Sequence, residues 1–230
     1  MHFSHSPELW NDFPALVPAV ITIDGITSEA QVRERSAPYL ERARERLASG
    51  PESEFPEIRA WRQAFSQMGL KPTQYRCASE SLLRRFRKEG SLPELHPLID
   101  LCNAISIAFA VPIAVFDRDH IDGDLTVRHA TGSESYLTFG GEIERPYERE
   151  VIFADDANRA HARRWTNRQS GLSAIRPSTN QVLIVAEALH DSAPADMRQL
   201  IETLDSELET VWGSTLVSAI LSAGSLVFTT

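Results

Sequence analysis

The chain has 230 residues, 42% of them hydrophobic and 24% charged, with a formal net charge of −9. That length can bury a sizeable core in one or two domains, and the acidic balance supplies no global field drawing the molecule to nucleic acid, so DNA is not an expected partner. The longest apolar runs, near 104–116 and 216–228, are too short or too broken by Ser and Gly to span a bilayer, so no membrane partner is expected either.

The N-terminal "MHFSHSPELWNDF" lacks a basic start followed by an apolar block, does not read as a secretory signal, and makes the cytoplasm the expected compartment. "ALVPAVITIDGI" predicts a strand over Val17 to Ile26, closed by the Asp24-Gly25 turn. Thr27 or Ser28 would then cap an amphipathic helix carrying Val32, Tyr39, Leu40 and Leu47 and broken near Pro38. A second helix, Ile58 to Met68, sets Trp61 and Phe65 four apart on one face. Ser79 would cap a third, "ESLLRRFRKEG", ended by Gly90. Leu98 to Phe109 is apolar enough for a buried helix, stopped by Pro112 before the strand-like "PIAVFD".

"DGDLTVRHATGSESYLTFGG" predicts two strands, Leu125 to His129 and Ser135 to Phe139, joined by a turn around Gly132. Further strands are expected at Glu150 to Ala154 and Val182 to Ala188. Helical spacing of Met197, Leu200, Leu204 and Leu208 predicts a last helix over 193–225. Helices at both ends and strands clustered in the second half favour α+β over a regular βαβ alternation. One domain over 1–230 is expected, with 1–70 as a strand-plus-helices portion and the last helix packed on it.

Several kinds of chemistry lack their signatures. There is no G-x-x-x-x-G-K-[ST] loop, and "GLSAI" at Gly171 is half a nucleophile elbow with Ile175 where the second Gly belongs. Seven scattered histidines and two cysteines, Cys77 and Cys102, offer no metal-ligand spacing, and the cysteines read as small buried residues that form no disulfide. No metal and no cofactor are expected. The cluster Arg84, Arg85, Arg87, Lys88 and the cluster Arg159, Arg163, Arg164, Arg168 read first as carboxylate-paired faces and second as a local phosphate-contacting rim. Asn103 stands in the apolar run "LIDLCNAISIAF", where a buried amide without partners costs roughly 1–3 kcal/mol, and Ser106 lies three residues on along the same helix. Either the pair makes structural hydrogen bonds or it lines a pocket.

These residues also carry a resemblance. "R-x-x-S-E-x-L-x-R-R", "P-L-I-D-L-x-N", "P-I-x-x-F-D", "G-x-L-x-V-R-x-A" and "G-S-E" occur in order over Arg76 to Gly141, followed by "ARRWTNRQSGLSAIRPSTNQVLIV". The ordered set resembles the B3/B4 domain, the editing module of the bacterial phenylalanyl-tRNA synthetase β subunit, and looks closest to stand-alone members of that family. The resemblance implies a mixed or antiparallel β core of sandwich-like sheets with flanking helices. It also implies a deacylase acting in trans on the 3′ end of a mischarged aminoacylated tRNA, brought by diffusion or by a synthetase or other tRNA carrier.

The family's pocket-shaping Asn matches Asn103, whereas its His in "P-M-H-A-F-D" is replaced by Ala114, which implies an amino acid other than tyrosine. An aminoacyl ester is already activated, so its hydrolysis needs an oriented water and oxyanion donors rather than a strong nucleophile. Glu134, in "GSES", would orient or deprotonate that water, or else is a solvated turn carboxylate. Arg76, Ser79 and Glu80 would hold the terminal adenosine or the amino group, against the plainer alternative of a helix cap with a salt bridge. Trp165, between Arg164 and Arg168, would stack the terminal base or else lie in the core, and Asn167, Gln169 and Ser170 add polar groups to the same region. The competing reading is a non-catalytic module that binds an amino acid, a nucleoside or a tRNA end.

Overall fold

In the computed structural model, which describes residues 1–223 and 227–229, a short strand β1 (His2–His5) and helix α1 (Pro7–Asp12) precede β2 (Val17–Ile23). Four helices follow: α2 (Arg33–Ser49), α3 (Pro56–Gln67), α4 (Ala78–Glu89) and α5 (Pro97–Phe109). Then come β3 (Ile113–Asp117), β4 (Leu125–His129), β5 (Tyr136–Leu137), β6 (Ile143–Glu144), β7 (Val151–Asp155), β8 (Ala160–Arg163), β9 (Arg168–Gln169) and β10 (Val182–Ala188). Helix α6 (Ala193–Trp212), β11 (Leu216–Ile220) and β12 (Val227–Thr229) complete the described elements. Among the described residues no helix is long and apolar enough to cross a membrane.

One sheet runs β12-β1-β4-β7-β8-β9, antiparallel except for the β1/β4 pair, and the other runs β11-β2-β10-β3, antiparallel throughout. Alternation along β10 shows how they stack. Val182, Ile184 and Ala186 pack with Leu101, Ile105 and Leu204 of α5 and α6, while Leu183 and Val185 pack with Phe116 and, from the other sheet, Val127 and Phe153. A strand covered on both faces is apolar in both phases, as "VLIVA" is. The one charge in β10, Glu187, falls in the phase of Leu183 and Val185, so the period of two places its carboxylate between the sheets. The architecture is thus α+β, two facing sheets with α5 and α6 packed outside the four-stranded one and α1, α3 and α4 packed on the core the sheets share.

Several local expectations need correction. Helix α2 begins at Arg33 rather than behind Thr27 or Ser28, because Ile26 and Thr27 are tied into tertiary bonds: Ile26 N–H donates to Asn180 O and Trp212 Nε1–H to Thr27 O. It runs unbroken through Pro38, which removes a single backbone donor. Ser79 lies inside the first turn of α4, behind Cys77 as the cap residue. The two strands around Gly132 do not form a hairpin: β4 pairs with β1 and β7, and β5 pairs with β6. The last helix stops at Trp212, where Gly213 takes φ +64 without steric cost, and β11 then pairs with β2; residues 224 and 225 of the expected helix lie outside the described residues. β1, missed in the sequence, supplies a residue to the site.

Candidate active site

The two sheets part at one side, where β3 and β9 are each the last strand of their sheet. Between them lies a cavity of about 70 Å³, walled by Ala114, Ala162, Phe153 and Val185 and reaching Glu187. The chain segment Thr166 to Gln169 closes its other side. That segment is aimed by two consecutive left-handed residues, Arg164 at φ +46 and Trp165 at φ +58. Such conformations cost about 1–3 kcal/mol each in non-glycine residues and persist only where surroundings impose them. Here Arg164 N–H donates to Glu150 Oε1 at 3.0 Å and Trp165 N–H to Val151 O at 2.7 Å.

Glu187 is 2% exposed. His5 Nε2 lies 2.6 Å from its Oε1, and Trp165 Nε1–H donates to its Oε2 at 2.9 Å. The carboxylate is therefore fixed from behind by two rings while it borders the cavity. Thr166 Oγ1 is buried without a hydrogen-bond partner, a cost of roughly 1–3 kcal/mol that a ligand or an ordered water would relieve. Asn167 Nδ2–H donates to Arg76 O at 2.7 Å, and Gln169 Nε2–H spans the gap between the edge strands to Val115 O at 2.6 Å. An apolar slot with a fixed carboxylate at its base and amides at its rim suits a small, partly apolar group that carries a donor.

The residues singled out in the sequence divide around this cleft. Trp165 and Arg168 line it. Trp165 is fully buried, set edge-on to Trp61 and Phe13 with ring centroids 4.9 and 4.8 Å away, so its face is not open to a base. Arg168 donates to Glu144 at 3.0 Å, and Arg164 lies over the Tyr75 ring at 4.7 Å. Arg76, Ser79 and Glu80 sit behind the cleft: Ala78 N–H donates to Thr166 O at 2.8 Å, which ties the start of α4 to the rim. Buried Glu80 pairs with Arg62 at 2.6 Å and Arg76 at 3.3 Å, and Ser79 Oγ–H donates to Ala110 O. Ser170 Oγ–H donates to Leu137 O, away from the cavity.

Asn103 and Ser106 are elsewhere. Ser106 Oγ–H donates to Val111 O at 2.6 Å and closes the C-terminal turn of α5, the structural alternative of the two. Asn103 is half-buried on α5 and is not among the residues bordering the cleft. Glu134 is also apart, and saturated: it accepts from Thr131 N–H, Thr131 Oγ1–H, Gly132 N–H and Arg128 Nη1–H at 2.6–3.1 Å. Burial alone would raise its carboxyl pKa, but the Thr131 N–H and the Arg128 guanidinium outweigh burial and hold it down at about 2. A carboxylate so stabilised is a weak base.

The half-elbow serine gains partners the sequence did not reveal. Ser173 Oγ is 2.8 Å from His161 Nδ1, and His161 Nε2 is 3.1 Å from Asp155 Oδ2. Ser173 and His161 are 0% exposed and Asp155 5%, and Asp155 also binds Arg159 at 2.6 Å. Burial raises the Asp155 carboxyl pKa, yet His161 and Arg159 prevail and lower it well below the usual range. Sealed in this way, the serine reaches no substrate, and the chain of bonds acts as a cross-brace. Both cysteines are buried, which pushes each thiol up to about 12. In the arginine clusters Arg84 and Arg87 pair with Glu52, Arg85 with Glu89, and Arg163 with Glu144 and Glu150.

Fold and cleft together define an α+β protein with a small cavity between the edge strands of two facing sheets. A family model described as the B3/4 domain matches residues 60–207, more than half of the chain, and the chain belongs to that family. Two curated relatives, the phenylalanine–tRNA ligase beta subunits of Chromobacterium violaceum and Bartonella quintana, are each 31% identical to it, over 75 and 98 residues. These stretches cover 33% and 42% of the chain but only 10% and 11% of those proteins, so the chain spans about a tenth of the length of the curated relatives it matches. A crystal structure of an N-terminal fragment of the phenylalanyl-tRNA synthetase beta subunit from Pyrococcus horikoshii aligns over 95% of this chain and 53% of its own, with 11% identity and a TM-score of 0.48.

Proposed function

We propose that the protein is a trans-editing deacylase that hydrolyses the ester of a mischarged aminoacyl-tRNA and holds the acyl group in the cleft between β3 and β9. The observation that carries this reading is the joint presence there of a buried, ring-fixed carboxylate, Glu187, and an unpartnered hydroxyl, Thr166 Oγ1. Membership of the B3/4 family and relatives named as phenylalanine–tRNA ligase beta subunits support tRNA as the carrier of the ester.

In this mechanism Glu187 receives the α-ammonium group of the aminoacyl ester and Thr166 Oγ1 orients the attacking water. The amides of Asn167 and Gln169 shape the mouth, and no covalent intermediate forms. Positioning of this kind suits an ester that is already activated. The cavity also limits the substrate. At ~10–15 Å³ per water-sized group, about 70 Å³ holds roughly five to seven such groups. Alanyl, seryl, cysteinyl and threonyl groups fall in that range, whereas an aromatic aminoacyl group is about twice as large. Ala114 is part of that wall, so the Ala that replaces the family's His borders the space it would alter.

One observation favours the non-catalytic module instead: both Glu187 oxygens already accept a bond, so neither is an idle base. Purified protein incubated with a panel of aminoacyl-tRNAs separates the two. Accelerated loss of small aminoacyl esters, with phenylalanyl and tyrosyl esters spared, is the expected result; binding with ester loss at the spontaneous rate contradicts the enzyme.

A further inference from the structure

The family match covers residues 60–207, yet one of the two side chains that hold the Glu187 carboxylate comes from outside it. His5 ends β1, a strand seated between two others. Phe3 stands opposite Phe228 of β12 and Leu125 of β4, His5 stands opposite Val127, and Ser6 N–H donates to Val127 O at 2.9 Å. Two residues after Phe3, His5 takes the same inward phase, so its ring enters the space between the sheets. There it meets Glu187 of the facing sheet at 2.6 Å.

The surroundings leave this ring one way to act. Phe3 stands edge-on to it with centroids 5.2 Å apart, and Trp10 lies tilted at 5.4 Å. A bond to a carboxylate places a proton on Nε2, whereas Nδ1 is buried without a partner, where a second N–H would find no acceptor. His5 therefore offers Glu187 a single, fixed N–H. The last torsion of a glutamate is soft, so a carboxylate held by one oxygen alone can still turn. Trp165 Nε1–H on Oε2 together with His5 Nε2–H on Oε1 fixes its plane.

We propose that His5 is a positioning residue of the cleft: it acts on a ligand only through Glu187, by fixing the plane in which that carboxylate meets the α-ammonium group. The proposal rests on the deacylase reading for what binds there. The coupling between the two side chains rests on geometry alone. It makes β1 a working part of the site, although that strand lies outside the matched residues.

A double-mutant cycle on the full chain, read as kcat/KM for alanyl-tRNA, tests the coupling. His5→Leu keeps apolar packing against Phe3 and Trp10 but removes the donor, and is expected to cost about 30-fold. In a Glu187→Gln background the same change is expected to cost less than about threefold, because the carboxylate it positions is gone. His5→Gln, which retains a terminal N–H, is expected to stay within about threefold of the wild type. Should His5→Leu not fold, His5→Asn, whose amide falls short of Glu187, takes its place in the cycle. Equal losses in both backgrounds, or a loss in His5→Gln as large as in the donor-free variant, make His5 a packing element and overturn the proposal while the deacylase stands. If the wild type cleaves no ester, affinity for a non-hydrolysable alanyl-adenosine analogue is read in the same cycle. Coupled losses of affinity then uphold His5 and remove the deacylase, and no binding at all removes both.

Discussion

The loop after β4 and the floor of the cleft each bury a glutamate, at 0% and 2% exposure, but the loop surrounds Glu134 with donors while the cleft leaves Glu187 bordering open space. Glu134 has a cation 2.6 Å away and two backbone N–H groups. Its free energy is already lowered by its own loop, so it has little to offer a substrate. Among the described residues Glu187 has two ring N–H groups behind it and no paired arginine or lysine. What distinguishes the two carboxylates is not burial but which face of each remains unanswered.

Substitutions at the two positions should therefore act on different quantities. Glu187→Gln keeps the shape of the side chain and one acceptor oxygen but removes the charge, and should lower turnover of alanyl-tRNA by about 100-fold. A loss under threefold, measured on protein with a native circular dichroism spectrum, would move the chemistry away from the cleft. Ala114→Leu pushes a branched side chain into the 70 Å³ space and should cost at least about tenfold in kcat/KM for small aminoacyl esters, with the fold retained. An unaltered substrate profile in that variant would mean the cavity is not the acyl pocket.

Glu134→Gln should leave turnover alone and cost about 2 kcal/mol of stability in urea unfolding, because it removes a charge-assisted network. Its pH dependence has a definite sign. The folded carboxyl, held at about 2 against an ordinary 4.5, contributes stability that is complete above about 4.5 and is lost as pH falls toward 2. The wild type should lose stability more steeply than the variant between those values. A collapse of turnover in well-folded Glu134→Gln would restore this loop as the catalytic element. The smallest effect is expected at Asn103→Ala, within about 0.5 kcal/mol and with unchanged amino-acid selectivity. Altered selectivity would place the substrate beside α5 after all.

Much of the fold was legible because apolar period and length sufficed: the buried run 98–109 became α5, and "VLIVAEA" became β10 with the predicted ends. β1 and β12 were not, since short strands acquire their meaning only by pairing with each other across 225 positions of sequence. The site was half legible. Trp165, Arg168, Asn167 and Gln169 were grouped from one short stretch and do border one cleft. Asn103 was chosen as a polar residue in an apolar run, and the same signal, applied to the lone Glu in "VLIVAEA", would have found Glu187. His5 and Thr166 gave no such signal, because their significance lies in what the distant parts of the chain bring next to them.

The most direct test is a structure with a non-hydrolysable alanyl-adenosine analogue, the ester oxygen replaced by nitrogen. The account predicts the alanyl group between β3 and β9, its ammonium within hydrogen-bonding distance of Glu187 and its carbonyl near Thr166. An acyl group bound beside Asn103 or Glu134, with the cleft unchanged, would contradict it.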